Sequence, residues 1–581
     1  MKEVTLKIND VSVTVPEGTR ILDAARKAGF RIPTLCYYKD LTNEGSCRVC
    51  VVEVKGARSL VASCSAVVAE GMEVYTKTPK VIESRKTTLE LLLSNHEKKC
   101  LSCVRSGNCE LQKLSNEYGC DENKFSGVKT PTAPEFENDY LIRDNGKCIL
   151  CRRCVAACNK YQTVGVIGAN KRGFNTTIGC AFGRALADVD CVACGQCINV
   201  CPVGALTEKD DTDKVVAALG DKSKHVIAIT APAVRVALGE EFGFPVGTDT
   251  QGKMVAALRR IGFDKVFDVD MAADLTIMEE GTELLQRLGD KNATLPMITS
   301  CSPGWIRFIE FNYPELLGHL STCKSPQQMM GATIKTYYAE KNGIDPKDIY
   351  VVSVMPCTAK KTEIKRADEN ASGYPDIDVV LTTREAARLI KRFGIEYDIL
   401  ADEEFDAPLG IGSGAGLIFG ATGGVMEAAL RTVYEIVTGK ESPSVDYKAV
   451  RGTKGIKTAE IDMNGTKVKV AVAHTLANAR ELLEEIKAGK SEYQFIEVMT
   501  CPGGCVNGGG QPIVASDKIN AGLDVKELRA KAIYGSDAKS KLRKSHENPV
   551  IKQLYDEYFD KPGSHKAHEI LHTSYAPREK M

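Results

Sequence analysis

Cys148-Ile-Leu-Cys151-Arg-Arg-Cys154-Val-Ala-Ala-Cys158 and Cys191-Val-Ala-Cys194-Gly-Gln-Cys197-Ile-Asn-Val-Cys201-Pro202 repeat one spacing: three cysteines at every third position, then a fourth four residues on. Thiolates at this spacing suit iron-sulfur cubanes, because soft sulfur ligands stabilise iron beside bridging sulfide. In such a tandem the first three cysteines of each copy wrap one cubane and the fourth reaches across to the other. Cys148, Cys151, Cys154 and Cys201 are therefore expected to hold one 4Fe-4S cluster, and Cys191, Cys194, Cys197 and Cys158 a second. Structural zinc fits poorly here. Cys180, in the insert between the copies, has no role in this pattern.

Residues 139–210 thus resemble a bacterial two-4Fe-4S ferredoxin, and the cysteine-rich chain continues upstream. In residues 79–138 a helical stretch from Val81 to Leu93 leads into His96-x3-Cys100-x2-Cys103-x5-Cys109. One imidazole and three thiolates can wrap another cubane, the neutral ligand raising its potential. Zinc competes for this motif, and its place between two cluster-like segments favours iron. Cys120 has no partner at ligand spacing and reads as structural. Residues 1–78 open with alternating segments, Val4 to Ile8 and Val11 to Val15, joined at Asn9-Asp10, followed by a helical pattern from Ile21 to Ala28. That is a hairpin plus helix. With Cys36, Cys47, Cys50 and Cys64 it resembles the β-grasp 2Fe-2S ferredoxin domain. A four-cysteine zinc site is the alternative.

The chain has 581 residues and 22 cysteines, 17 of them between positions 36 and 201. No run of 18 apolar residues occurs and the N-terminus lacks a secretory layout, so we expect a cytoplasmic protein with no membrane span. Disulfides are rare in that compartment, so most cysteines should bind metal. The 76 basic and 76 acidic residues cancel and indicate no nucleic-acid partner. The first 210 residues read as a wire of one 2Fe-2S and three 4Fe-4S clusters, with no open position for chemistry.

Residues 211–512 change character. Apolar segments at His225 to Pro232, Lys265 to Val269, Leu295 to Thr299, Ile349 to Met355 and Asp378 to Thr382 alternate with helical patterns at Met254 to Ile261 and Leu275 to Leu288. This predicts mostly parallel sheets flanked by helices, whose ligands sit beyond the carboxyl ends of strands. Three cysteine segments fall there: Thr299-Ser-Cys301-Ser-Pro-Gly-Trp305, Met355-Pro-Cys357-Thr-Ala-Lys360-Lys-Thr-Glu363, and, with the apolar run Phe495 to Met499, Glu497-Val-Met-Thr-Cys501-Pro-Gly-Gly-Cys505-Val-Asn-Gly-Gly-Gly-Gln-Pro512. The last is a glycine collar able to close around something bulky and inorganic. Alone it would serve equally as a zinc knuckle or a turn with two buried cysteines.

Together these segments resemble the iron-iron (FeFe) hydrogenases over nearly the whole chain. The first 210 residues alone are also similar to the cluster-bearing subunit of respiratory NADH dehydrogenase. The resemblance implies an H-cluster: a 4Fe-4S cubane sharing one thiolate with a diiron unit that carries CO, cyanide and an azadithiolate. It implies Cys357, Cys501 and Cys505 as cubane ligands, Cys505 bridging to the diiron unit. The family usually has a ligating cysteine where this chain has Ser302, preceded by a proton-relay cysteine at Cys301. Either register holds and Ser302 stands at the ligand position, or thiolate chemistry prevails and Cys301 ligates; we lean slightly to the second.

Glu280 and Glu283 lie three apart on the predicted helix and share a face. With the Ser321 hydroxyl they match the family's route Cys301, Glu280, Ser321, Glu283, with Arg287 at its outer end. A solvated helix face is the alternative. Lys360 is expected as a charged donor to one cyanide and Ala231-Pro232 near the other. Gln327 could serve the bridging CO, while Met355, Phe419 and Met499 form an apolar wall. Gly410 to Ala415 is a weak dinucleotide fingerprint, and His568-Glu569-Ile-Leu-His572 fits the zinc-protease pattern with little chain left to build a site. Residues 513–581 match the family's C-terminal wrapping helices.

The expected function is a hydrogenase catalytic subunit, interconverting H2 with two protons and two electrons. Its expected partners are flavin- and NAD(P)-binding dehydrogenase-type subunits of an electron-bifurcating complex, and ferredoxin. The alternatives are a stand-alone ferredoxin-linked enzyme, or an electron-transfer or sensory iron-sulfur protein without H2 chemistry.

Overall fold

A computed structural model describes residues 2–463 and 465–579. The N-terminal hairpin pairs Glu3–Ile8 with Val11–Pro16 in the register Ile8↔Val11 and Leu6↔Val13. Asn9 and Asp10 both take positive φ, 46° and 68°, the two-residue turn that matches the twist of the strands. Alternation then buries Val4, Leu6 and Ile8. Glu73–Tyr75 lies parallel to the first strand and completes a five-stranded sheet with Val51–Val54 and Val61–Ala62, under the helix Ile21–Lys27.

The helix Pro79–Asn95 starts where sequence chemistry places it, with Thr78 accepting from Val81 N and proline in its first turn. Its buried Arg85 donates to Val51 O at 2.8 Å and ties it to the first sheet. The two-cluster segment is built on short helices at Arg153–Lys160 and Gln196–Asn199 and an antiparallel pair, Leu141–Arg143 with Leu206–Glu208. The fully buried Arg153 donates to Tyr37 O, Glu110 and Ser516, so one guanidinium fastens four parts of the chain.

Downstream are two four-stranded sheets. One orders Lys265–Asp268, His225–Thr230, Ile349–Met355 and Val379–Thr382, all parallel. The other orders Met297–Ile298, Phe495–Met499, Thr466–His474 and Ile456–Met463; its first three are parallel and its last is the antiparallel arm of a hairpin. The parallel expectation therefore holds except at that edge. The strand expected at Leu295 to Thr299 shrinks to two residues, since Pro296 has no N–H to give a ladder. The helix expected from Leu275 runs instead over Val269–Gly289, because Asp268 ends a strand and caps the helix by accepting from Asp270 N.

After residue 512, the helix Val525–Lys539 packs against residues around Val506 and against the helix Gly424–Thr438. Arg529 donates to Val506 O at 2.9 Å, and Asp537 pairs with the fully buried Arg431 at 2.9 Å. No helix among the described residues is long and apolar enough to cross a membrane.

Candidate active site and its cluster wire

All three cysteine segments follow carboxyl ends of parallel strands: Cys301 after Met297–Ile298, Cys357 after Ile349–Met355, Cys501 after Phe495–Met499. They meet in one largely apolar cavity, together with Ala231, Pro232, Gln327, Met355, Lys360, Phe419 and Met499. The cavity lies between the two sheets.

Cys357, Cys501 and Cys505 interact with one another. Burial pushes each thiol up; the Cys357 sulfur adds to it at Cys501 and at Cys505, which reaches about 12, while the Lys360 charge opposes it at Cys357. Three such sulfurs in a dry pocket cannot ionise together without a compensating cation, and iron supplies one. The donor set therefore fits a cubane. Cys301 is placed differently. Burial raises its thiol, followed by the charges of Glu280 and Cys505, while Lys360 lowers it. Of the three other site cysteines it interacts with Cys505. Ser302 heads the helix Pro303–Asn312, and its Oγ lies 2.8 Å from Thr500 Oγ1, next to Cys501.

Lys360 Nζ donates to Ser325 Oγ at 2.7 Å, to Glu363 at 2.8 Å and to Cys301 O at 3.3 Å. Gln327 Nε2 also donates to Glu363, at 3.0 Å, leaving one amide hydrogen for the cavity. Behind Cys301 stands Glu280, pushed up to about 8 by burial and by the charge of Glu283, with Ser321 hydrogen-bonded to it opposing. Ser321 Oγ donates to Glu283 Oε2 at 2.8 Å, and Arg287 donates to Glu283 Oε1 at 2.6 Å. Glu280, Ser321, Glu283 and Arg287 thus form a chain of neighbours behind Cys301.

The glycines of the collar serve protein as well as cavity. A Cβ on Gly509 would lie 2.2 Å from Cys194 O, and one on Gly508 2.1 Å from Pro356 O. The two-cluster segment is held against the collar by Gln196 Nε2 to Asn507 O at 2.9 Å, Asn199 Nδ2 to Gly508 O at 3.0 Å and Thr358 Oγ1 to Ala193 O at 2.6 Å. Cys194 itself lines the cavity.

Comparison with known proteins agrees with this geometry. Residues 224–509 match the iron only hydrogenase large subunit, C-terminal domain, and residues 523–578 the iron hydrogenase small subunit. The chain is 49% identical to the NADP-reducing hydrogenase subunit HndD of Solidesulfovibrio fructosivorans, covering 100% of both chains. The chain belongs to the iron-iron hydrogenase family. This hydrogenase is also 44% identical to iron hydrogenase 1 of Clostridium pasteurianum, over 98% of this chain and 99% of that one. A structure of a single-residue variant of the hydrogenase HydA1 from Chlamydomonas reinhardtii is 43% identical with a TM-score of 0.56, covering 64% of this chain and 99% of that one. The reaction is the reversible conversion of H2 into two protons and two electrons.

Within its first 205 residues the hydrogenase matches a 2Fe-2S iron-sulfur cluster binding domain at residues 1–79, the NADH-ubiquinone oxidoreductase-G iron-sulfur binding region at 85–124 and a 4Fe-4S dicluster domain at 147–205. Cys36 Sγ lies within hydrogen-bonding reach of Cys47 and Cys64, and Cys64 of Cys50. Cys148, Cys151, Cys154 and Cys201 line one cavity. Cys194 and Cys197 feel the charges of Cys191 and Cys158. His96 is buried with Nδ1 unpartnered, a cost of about 1–3 kcal/mol unless a ligand meets it. Cys100 is exposed, and Cys103 and Cys109 are half-buried.

Several contributors lie in the quoted segments but drew no role from the sequence. Glu363 anchors Lys360, Thr500 meets Ser302, and Glu497 accepts from Gly423 N and Met426 N at 2.6 and 2.8 Å. Only spacing from Lys360 could have pointed to Glu363. Cys323 is buried, as expected for a core residue, and Cys180 sits 3.7 Å from Arg143. Glu569 points away from the cavity, exposed beside His565 at 3.6 Å.

Proposed function

We propose that this hydrogenase is the H2-converting subunit of an NAD(P)-linked, electron-bifurcating complex in the cytoplasm. Its partners would be flavin- and NAD(P)-binding subunits carrying iron-sulfur clusters, with ferredoxin as a further electron carrier. The observation that carries the catalytic reading is the convergence of Cys357, Cys501 and Cys505 with the inner end of an unbroken Glu280, Ser321, Glu283 chain.

The cubane of the H-cluster is assigned to Cys357, Cys501, Cys505 and a fourth corner at Ser302, with Cys505 shared with the diiron unit. Cys301 then takes the relay position. The neighbours of the two residues support this over ligation by Cys301, since Glu280, Lys360 and Cys505 face Cys301 while Ser302 sits beside Cys501. When bound, the H-cluster supplies the open iron at which protons and electrons combine. The chain does the rest. Glu280, pushed up to about 8, is a carboxylic acid at neutral pH that both gives and takes a proton, and Ser321 links it to Glu283. Lys360, Ala231, Pro232 and Gln327 line the cavity where the polar ligands of the diiron unit would be held. Met355, Phe419 and Met499 exclude water.

Cys36, Cys47, Cys50 and Cys64 would hold one 2Fe-2S cluster, and three 4Fe-4S clusters would be held by His96 with Cys100, Cys103 and Cys109; by Cys148, Cys151, Cys154 and Cys201; and by Cys191, Cys194, Cys197 and Cys158, supplying a path for electrons. The last abuts the collar. Support for the complex comes from the NADP-reducing relative and from the match of residues 85–124 to the NADH dehydrogenase region. Affinity purification of the native protein tests it: flavoprotein subunits should accompany the chain. Full activity of the isolated chain with ferredoxin alone would contradict it.

A further inference from the structure

The helix Pro303–Asn312, headed by Ser302, reaches from the catalytic region to the two-cluster segment. Arg307, half-buried on that helix, donates Nε and Nη2 to the Cys191 carbonyl at 3.0 and 2.9 Å. A planar guanidinium is thus held by two bonds on one oxygen of a cluster ligand. Phe311, one turn on, fixes its plane: the guanidinium carbons of Arg307 and Arg578 lie 5.5 and 5.9 Å from the centre of that ring. Glu310 gives its two oxygens to other arginines, Arg366 at 3.0 Å and Arg578 at 2.6 Å. The Tyr140 hydroxyl lies within hydrogen-bonding reach of the Cys191 thiol, yet it donates its one proton to Leu186 O at 3.1 Å. The fixed positive charge at Cys191 therefore comes from Arg307.

The other copy of the motif is arranged differently. Cys148 is the counterpart of Cys191, and Arg143, whose charge reaches it, pairs with Glu135 at 2.5 Å. Around Cys191 the donor set fits a cubane. Burial raises the thiols of Cys158, Cys194 and Cys197, and the Cys191 charge adds at each, so the four sulfurs call for a compensating cation such as iron.

We propose that Arg307 sets the reduction potential of the cluster held by Cys191, Cys194, Cys197 and Cys158, making it more positive than the four ligands alone would. The reduced cluster carries one more negative charge than the oxidised one, so a cation beside a ligand favours the electron's arrival. One electron is gained and no bond forms or breaks. A guanidinium keeps its charge at any working pH, so the effect is constant. Arg307 touches no reacting atom and is a positioning residue. Its two bonds also fix the loop that carries Cys194 to the collar, so charge and placement act on the same stage of the wire.

This inference rests on the cluster assignment under Proposed function. The test is a redox titration of the anaerobically prepared full chain, followed by spin-quantified electron paramagnetic resonance. Arg307→Gln can still donate to the Cys191 carbonyl but has no charge, and Arg307→Lys keeps the charge. Cys194→Ala identifies the cluster's component by deleting it. In Arg307→Gln that component should become harder to reduce by about tenfold, about 59 mV for one electron. In Arg307→Lys it should move less, and the other clusters should not move in either variant. Arg307→Met, a second uncharged variant, is read in the same way. An unmoved component in the uncharged variants, or a shift in Arg307→Lys as large as theirs, overturns the inference. If Cys194→Ala deletes a component that Arg307→Gln does not move, the role of Arg307 alone is wrong. If Cys194→Ala deletes none, the assignment itself is wrong, and the inference falls with it.

Discussion

Ser302 Oγ and Thr500 Oγ1 lie 2.8 Å apart, and this contact sets the serine beside Cys501 while its neighbour Cys301 faces Glu280 and Lys360. Adjacent side chains point apart, so the two residues cannot both reach the cubane. Cys301→Ser should assemble the cubane and lose about 10²–10⁴-fold in turnover, as expected for a proton-transfer group. Electron paramagnetic resonance of the reduced protein checks it. Loss of the cubane signal in that variant would make Cys301 the ligand.

The raised carboxyl of Glu280 has a consequence for stability. Its folded value of about 8 lies above the unfolded value, so the folded state binds the extra proton between them. Stability from this group is full below the unfolded value, near 4.5, and is lost as pH rises towards 8. Glu280→Gln removes that loss. Denaturation midpoints should match the parent at low pH and exceed it at pH 8, while turnover falls. A variant no more stable at that upper pH would contradict the buried acid.

Lys360 depends on Glu363, and both side chains are about nine-tenths buried. Glu363→Ala leaves the ammonium uncompensated and should cost about 3–5 kcal/mol, whereas Glu363→Gln should cost less. Denaturant titration of the full chain distinguishes them. Equal losses would mean that packing, not charge, holds the site.

Gly509 lets the collar touch the loop that carries Cys194. Gly509→Ala must push that backbone away, at about 1–3 kcal/mol of overpacking. Electron delivery to the cavity should slow while proton exchange at the cavity survives. Stopped-flow reduction compared with H/D exchange reads the two separately.

Much of this was legible in the chain because its chemistry repeats at fixed spacing. The tandem at Cys148 to Cys158 and Cys191 to Cys201 needs no neighbours to be read, and apolar runs located the strands that end at Cys301, Cys357 and Cys501. What spacing could not supply was side-chain direction. Cys301 and Ser302 are adjacent, and only the helix beginning at Pro303 shows which one meets Thr500. Glu363 stands three positions from Lys360, but its meeting with Ser325 and Gln327, 38 and 36 positions upstream, is announced by no spacing. His572 belonged to the zinc-protease pattern, and the structure sets it beside Thr322 through a backbone pairing some 250 positions away. The antiparallel edge at Ile456–Met463 did carry its signal and was passed over: Asn464-Gly465 precedes the alternating Val468, Val470 and Val472, the pattern of a hairpin.

The most direct test is infrared spectroscopy of the anaerobically matured chain, read together with H2 evolution. The account predicts bands of iron-bound CO and cyanide and active turnover, both lost in Cys505→Ser. A correctly matured sample with full iron-sulfur content and no such bands would contradict it.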